Sequence, residues 1–137
     1  MKALQAIGWR RGTRFLLGQA LEVMLRLAVV PPVRIALLRL MGAKIGKNVT
    51  IYGGTFINFY RGTFRNLRVG RDCFIGQECL IDLAAGVDLG DQATLAQRVT
   101  ILTHMNVGYA DHPLQKQYPS LVAPVSIGPG AFVGAGC

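Results

Sequence analysis

A six-residue repeat dominates the chain after Gly42 and limits what it can fold into. An aliphatic or β-branched residue recurs at every sixth position, and several of these residues stand directly before a glycine. The series comprises Ile45, Ile51, Ile57, Thr63, Val69, Ile75, Ile81 and Val87, then, after a two-residue slip, Leu89, Leu95 and Ile101, and after a long interruption Ile127 and Val133. Because a six-residue unit cannot bury its own apolar face, the repeat predicts that successive units stack around one continuous core.

A second column of mostly small residues lies four positions after the first. Its members are Val49, Thr55, Arg61, Leu67, Cys73, Cys79, Ala85, Ala93, Val99, Ala131 and Cys137. Free cysteine packs as a small hydrophobe, so we expect all three cysteines to point inward as packing residues and to resist alkylation in the native protein. The weakest hexads surround "YRGTFRNL", where Arg61 falls in an inward position. A local irregularity is expected there.

Stacked units of this kind predict an all-β fold, a parallel β-helix of hexapeptide repeats over residues 43–137. Three units per turn would give coils of about 18 residues and would align Ile45 with Thr63 and Ile81. Ile75, Ile81, Val99 and Ile101 are expected to face inward or to lie in strands. The repeat itself does not determine the handedness of the helix, and the general preference for right-handed crossovers would favour a right-handed one.

The N-terminal segment, residues 1–42, is expected to be helical and basic. Nine lysines and arginines stand against the single acid Glu22 over residues 1–47, and the rest of the chain balances, so residues 1–47 account for the net charge of +8. Apolar residues recur at threes and fours over residues 13–30, which predicts an amphipathic helix that ends at Pro31-Pro32, and a shorter helix follows up to Gly42. A basic character confined to one segment disfavours nucleic-acid binding.

Two interpretations of this segment remain open. The helices pack against the rest of the protein or its oligomer, or they lie on an anionic membrane surface. Interrupting charges and the two prolines argue against a membrane-spanning helix. The odd cysteine count and the lack of a short hydrophobic leader predict a cytoplasmic protein, either free or peripheral to the inner membrane face.

The stretch "QRVTILTHMNVGYADHPLQKQYPS" interrupts the repeat and contains both histidines of the chain, His104 and His112. The strand-like "VTILT" stops directly at His104, and an inserted loop is expected over residues 104–123. A loop of this length inside so compact a repeat indicates function. A histidine that titrates near neutrality can act as a general base, and His104 is the one anchored by a strand.

The repeat, written [Ile/Leu/Val]-Gly-x-x-[small]-x, resembles that of the bacterial hexapeptide-repeat acyltransferases, whose fold is a left-handed parallel β-helix. The resemblance covers about residues 42–137. Within that superfamily the chain is most similar to the sugar O-acetyltransferases of the galactoside, maltose and polysaccharide-biosynthesis group. "IGQECLIDLAAGVDLGDQATLAQRVTILTH" and, after the loop, "APVSIGPGAFVGAG" carry the resemblance.

The resemblance implies a homotrimer that binds acetyl-CoA, the acyl donor, in a groove between neighbouring β-helices. It implies that His104, at the start of the loop, is the general base, and that Gln77 contacts the acceptor in place of the family's asparagine. It further implies that the backbone N–H of Ala135, after Gly134, stabilises the tetrahedral oxyanion and that Phe132 lines the pantetheine groove. His112 is a second candidate for contact with the acceptor, although a solvated loop histidine is the interpretation preferred for it.

The expected function is acetyl-CoA-dependent O-acetylation of a sugar hydroxyl on a polysaccharide or glycolipid precursor. N-acylation of an amino sugar and a non-catalytic, membrane-associated trimeric scaffold are the alternatives. The zinc carbonic anhydrases of the same fold need three histidines, whereas this chain has two, so no metal site is expected. The chain ends within a repeat at "VGAGC", so we expect it to be truncated and to lack the coils that hold the adenine end of coenzyme A.

Overall fold

The computed structural model describes residues 13, 18, 20–25, 27–59, 63–108 and 111–137. Helical backbone is found at residues 20–25 and 27, and helix α1 follows at Pro31–Leu40. Two short 3-10 helices lie at Phe64–Asn66 and Pro113–Lys116. The strands are β1 (Lys44–Ile45), β2 (Thr50–Ile51), β3 (Thr55–Ile57), β4 (Leu67–Val69), β5 (Phe74–Ile75), β6 (Leu80–Asp82), β7 (Val87–Leu89), β8 (Thr94–Leu95), β9 (Thr100–Ile101), β10 (His104–Met105), β11 (Leu121–Val122), β12 (Val125–Ile127) and β13 (Phe132–Val133).

Three parallel sheets form the body of the molecule. Their strand orders are β1-β4-β7-β12, β13-β8-β5-β2 and β3-β6-β9. Every strand in these sheets pairs with a strand from the preceding or following turn of the chain, and consecutive strands belong to different sheets. This arrangement is consistent with a parallel β-helix, as the repeat predicted.

The coils are longer than the predicted regular spacing, so the expected alignment of Ile45 with Thr63 and Ile81 is wrong. Ile45 instead pairs with Val69, and Val69 pairs with Leu89. The first of these coils includes the 3-10 turn at Phe64–Asn66, inside the stretch where an irregularity was expected. Arg61, in the same stretch, lies outside the described residues.

The core consists of the aliphatic columns that this register creates. Ile75, Ile81, Val99 and Ile101 are buried, as predicted. In the first coil the inward residue is Phe56 and not Ile57, because Phe56 pairs with Ile81 in the sheet. The turn before β3 is therefore one residue shorter than the hexad rule assumes.

The cysteines follow the prediction in two cases out of three. Cys73 and Cys79 are buried, and burial raises the pKa of both thiols. Cys137 is exposed, contrary to expectation. Its carbonyl accepts from the N–H of Thr100, which sets it in the same column, but within the described part of the chain no further coil stacks over it.

The N-terminal helical residues sit on the first coil. Helix α1 begins at Pro31 itself, whereas the sequence predicted a break there, because proline is compatible with the first turn of a helix, where its missing N–H is not needed. The break falls at residues 28–30. Ile35 and Leu38 are buried, and α1 packs against β1 and β2. Among the described helices, none has the length and apolar character required to cross a bilayer.

Candidate active site

A buried carboxylate, that of Asp82, organises the candidate site. Asp82 is the last residue of β6 and its side chain is fully buried. Oδ1 accepts from the amide of Asn58 at 2.9 Å and from the backbone N–H of Ala84 at 3.1 Å. Oδ2 accepts from the backbone N–H of Thr103 at 2.9 Å. The carboxylate is therefore held by donors from three successive turns of the chain.

The hydroxyl of Thr103 closes this network. It lies 2.9 Å from Oδ2 and 3.1 Å from the backbone carbonyl of Asp82, and it accepts from the N–H of Ala85 at 3.0 Å. Thr103 is itself buried. Because buried polar groups are costly unless they are paired, this network is what permits a carboxylate at the edge of an apolar core.

Opposing effects set the charge state of Asp82. Burial by itself would raise the pKa of this carboxyl, but hydrogen bonds from His104, from Asn58 and from the backbone N–H groups of Thr103 and Ala84 hold the pKa well below its usual range. Asp82 is consequently an anion at neutral pH.

His104 lies directly against this anion. Its Nδ1 is 2.5 Å from Oδ2 of Asp82, and its side chain is 28% exposed. A carboxylate can only accept a hydrogen bond, so Nδ1 carries a proton. In the neutral ring Nε2 is then the unprotonated nitrogen, which can accept a proton from a substrate. An imidazole that is oriented by a carboxylate in this way is suited to act as a general base.

Backbone pairing also positions His104. His104 begins β10, which pairs antiparallel with β11, and His104 is opposite Val122. The N–H of Ala123 donates to the carbonyl of Thr103 at 2.9 Å. The strands β10 and β11 thus form a hairpin arm, whose described residues are 104–108 and 111–122, with His104 at its base. Met105, Leu121 and Val122 of the arm are exposed.

His112 occupies a different place on the arm. It is exposed, and its Nδ1 accepts from the backbone N–H of Leu114 at 3.2 Å, capping the 3-10 helix at Pro113–Lys116. This contact gives His112 a structural role in the arm.

Gln77 and Ala135 line a shallow cavity of about 280 Å³ together with Glu78, Gln97, Arg98 and Gly136. Both follow strands of the β2-β5-β8-β13 sheet, whereas His104 follows β9 of the β3-β6-β9 sheet. Gln77 and Ala135 therefore lie at a different corner of the β-helix from His104. Within the described part of the chain, the backbone N–H of Ala135 has no hydrogen-bond acceptor. Gly134 precedes it, and the side chain of Phe132 is 73% exposed on the adjoining strand.

Within one chain, therefore, the predicted residues fall into two groups. Gln77 and Ala135 share a cavity, whereas His104 lies with Asp82 at another corner. No hydrogen bond between described residues joins the two groups.

The sequence analysis did not identify Asp82, Asn58 or Thr103 as site residues. One signal was present: Asp82 stands between Ile81 and Leu83 in the apolar run "LIDLAA", with no basic residue nearby in sequence. The exposed Asp88 stands in a similar run, between Val87 and Leu89, so this pattern alone does not distinguish a buried carboxylate from an exposed one. Asn58 and Thr103 could be linked to it only through the coil register.

Part of the chain matches a known family model. Residues 66–101 match the family model described as "Hexapeptide repeat of succinyl-transferase". The matched stretch runs from the coil before β4 to the end of β9 and includes Asp82. It supports the hexapeptide-repeat interpretation and suggests an acyltransferase. No curated protein and no solved structure matches the chain significantly.

Proposed function

We propose that the protein is an acetyl-CoA-dependent O-acetyltransferase that acts on a sugar hydroxyl of a polysaccharide or glycolipid precursor, with His104 as the general base. The observation that carries the proposal is the pair formed by His104 and the buried Asp82 at the base of the hairpin arm. A hexapeptide repeat on the same coils supports acyl transfer as the reaction class.

The proposed reaction requires a base of this kind. A sugar hydroxyl is a weak nucleophile until its proton is removed as it attacks the thioester carbonyl carbon. Nε2 of His104 would take that proton, while the new C–O bond forms and the carbonyl electrons move to the oxygen. Collapse of the tetrahedral intermediate would break the C–S bond and expel coenzyme A as its thiolate, which takes the proton from the imidazolium and leaves as the thiol. Asp82 would stabilise the imidazolium without taking its proton.

The oxyanion formed in this step needs a hydrogen-bond donor. We propose the backbone N–H of Ala135, which supplies the donor whatever side chain the residue carries. Because Ala135 and His104 lie at different corners of one chain, the site would combine His104 of one copy with Ala135 of a neighbour. A homotrimer of left-handed β-helices, with acetyl-CoA in the groove between copies, would meet this requirement. The exposed apolar residues of the arm, Met105, Leu121 and Val122, suit a contact between copies.

The other predicted residues have roles outside the proton transfer. Gln77 shares a cavity with Ala135, which supports a role near the reacting groups, and Phe132 on the adjoining strand would contact the pantetheine chain. His112, as a helix cap, is left outside the reaction. An amino-sugar nitrogen is the competing acceptor, since the same base and donor would serve it.

The test compares two histidine variants in an acetyl-transfer assay. Release of the coenzyme A thiol is followed with acetyl-CoA and a panel of sugar and amino-sugar acceptors. A positioned general base contributes roughly 10² to 10⁴ in rate, so His104→Ala should lose that much turnover. His112→Ala is the matched control and should lose far less.

Three outcomes would contradict the proposal. Equal activity of His104→Ala and the parent chain would remove the base from the mechanism. A larger loss in His112→Ala would transfer that role to His112. No turnover by the parent chain with any acceptor, despite a folded and assembled protein, would favour the non-catalytic scaffold.

A further inference from the structure

The outward face of helix α1 is apolar. The helix buries Ile35 and Leu38 against the β-helix, yet Val33, Ala36 and Leu40 are exposed, and Leu40 is 84% exposed. These three residues are spaced three and four apart, so they lie on one side of the helix. A helix that is apolar on two faces ordinarily buries both of them.

The chain immediately before α1 extends this feature. The exposed large aliphatic residues there are Val23, Leu27, Val29 and Val30. Val29 and Leu27 are 77% and 76% exposed. We call Val29, Val30, Val33, Ala36 and Leu40 the outer aliphatic face. So many exposed aliphatic side chains in one short segment indicate an interaction surface.

Arg34 fixes the orientation of this face. Its buried guanidinium donates to the carbonyl of Leu25 at 2.9 Å, to that of Ala28 at 3.0 Å and to that of Tyr52 in the first coil. The residues before α1, α1 itself and the β-helix are therefore tied together by one side chain. The outer aliphatic face is a rigid part of the surface, not the side of a loosely attached helix.

The charge of the segment selects among the surfaces that could cover this face. Residues 1–47 carry nine basic side chains and one acid, and Lys44 and Lys47 are exposed just after α1. A second copy of the chain would bring two such cationic segments together, which is unfavourable. An anionic lipid surface offers an apolar layer for the aliphatic residues and negative headgroups for the lysines.

We propose that the outer aliphatic face docks on an anionic membrane and that its side chains enter the interfacial layer without crossing it. Contact through apolar side chains differs from contact through a basic helix face, because Arg34 is buried and Arg39 donates to the carbonyls of Ile45 and Gly46. The docked chain would hold its β-helix in a defined orientation to the membrane. The proposal does not depend on the acyl-transfer reaction.

Vesicle flotation of the full chain tests this docking. Vesicles of phosphatidylcholine alone are compared with vesicles of phosphatidylcholine and phosphatidylglycerol, at low and high salt. The parent chain should float with the anionic vesicles, less so at high salt. Val33→Gln/Leu40→Gln should weaken that binding about tenfold or more, since each large aliphatic side chain removed from an apolar layer costs up to roughly that factor.

Leu102→Gln is the matched control. Leu102 is 55% exposed on the β-helix, outside the outer aliphatic face, so its variant should bind like the parent chain. Circular dichroism and urea unfolding establish that each variant folds, and Leu40→Gln alone is used if the double variant does not.

Several results would overturn the proposal. The parent chain could fail to float with anionic vesicles, or Leu102→Gln could weaken binding as much as Leu40→Gln. A change in assembly size by light scattering in Val33→Gln/Leu40→Gln, with vesicle binding unaltered, would assign the face to a second copy of the chain.

Discussion

At the scale of single residues, the site depends on one carboxylate that the fold buries and then satisfies. Asp82 receives hydrogen bonds at both oxygens, and one of its partners is the proposed base His104. These hydrogen bonds lower the pKa of Asp82. Stability and activity should therefore share a dependence on Asp82.

Asp82→Asn should separate these two contributions. The amide cannot accept at both former oxygens, so we expect unfolding to cost about 1.5–3 kcal/mol less at neutral pH, measured by urea denaturation. The ring of His104 should also lose its fixed tautomer, which nitrogen chemical shifts detect, and turnover should fall while the Michaelis constant for acetyl-CoA changes little. An unaltered tautomer in the variant would show that Asp82 does not position His104.

The stability difference between the parent chain and Asp82→Asn should also depend on pH. Because the pKa of Asp82 is lower in the folded protein than in the unfolded chain, its contribution to stability is complete above about pH 4 to 5 and is lost as the pH falls through the folded value. The stability difference between the parent chain and Asp82→Asn should therefore shrink on acidification. A constant difference between pH 7 and pH 3 would contradict this linkage.

The cysteines should react according to their burial. Cys137 is exposed, whereas Cys73 and Cys79 are buried with raised pKa values, and the thiolate is the reactive form. Brief treatment of the native protein with iodoacetamide should label Cys137 alone, as read by peptide mass spectrometry. Labelling in denaturant should reach all three, and native labelling of Cys73 or Cys79 would contradict the register of the coils.

At the scale of elements, the joint between the helical segment and the β-helix rests on Arg34. Its guanidinium satisfies carbonyls at the end of the residues before α1 and one carbonyl of the first coil. Hydrogen bonds are needed there because the carbonyls at a helix end have no partner within the helix.

Arg34→Met should destabilise the protein by about 3 kcal/mol or more, since it leaves the buried carbonyls of Leu25 and Ala28 and the partly buried carbonyl of Tyr52 without this donor. Arg39→Met is the control: Arg39 also donates to backbone carbonyls, but at an exposed site where water can replace it. Urea unfolding measures both variants. Equal losses would show that burial of Arg34 adds nothing to the joint.

At the scale of the whole molecule, the proposed site is split between copies of the chain. Ala135→Pro tests this division, because proline removes the proposed N–H donor. The preceding corner of the same coil, Gly128-Pro129-Gly130, has the same pattern as Gly134-Ala135-Gly136, with proline in the place of Ala135. In both corners the second glycine has a positive φ. The substitution should therefore be tolerated by the fold.

Mixed assemblies give the decisive result. His104→Ala and Ala135→Pro should each be inactive alone, and co-refolded in equal amounts they should recover about a quarter of the parent activity, the share of interfaces with both groups intact. The mass by light scattering should be that of a trimer. No recovery in verified mixed trimers would place both groups of the site in one copy.

The sequence alone determined the repeat and the class of core that it builds. Hexad spacing depends on the lengths of single strands and turns, which residues close in sequence determine. The sequence could therefore predict the inward positions of Ile75, Ile81, Val99 and Ile101. The sequence placed His104 just beyond a strand for the same reason, although β9 already ends at Ile101 and His104 itself begins β10. Its assigned role came from a resemblance and stays a proposal.

Only the tertiary structure decided which coils lie against one another. Ile45 meets Val69 because turn lengths between repeats vary, and small changes at each corner accumulate into a different register. That register brings Asn58, Asp82 and Thr103 together from separate turns of the chain. The burial of Asp82 and of Arg34 could not be read from the sequence, because a charged side chain is stable inside only where distant backbone groups happen to satisfy it.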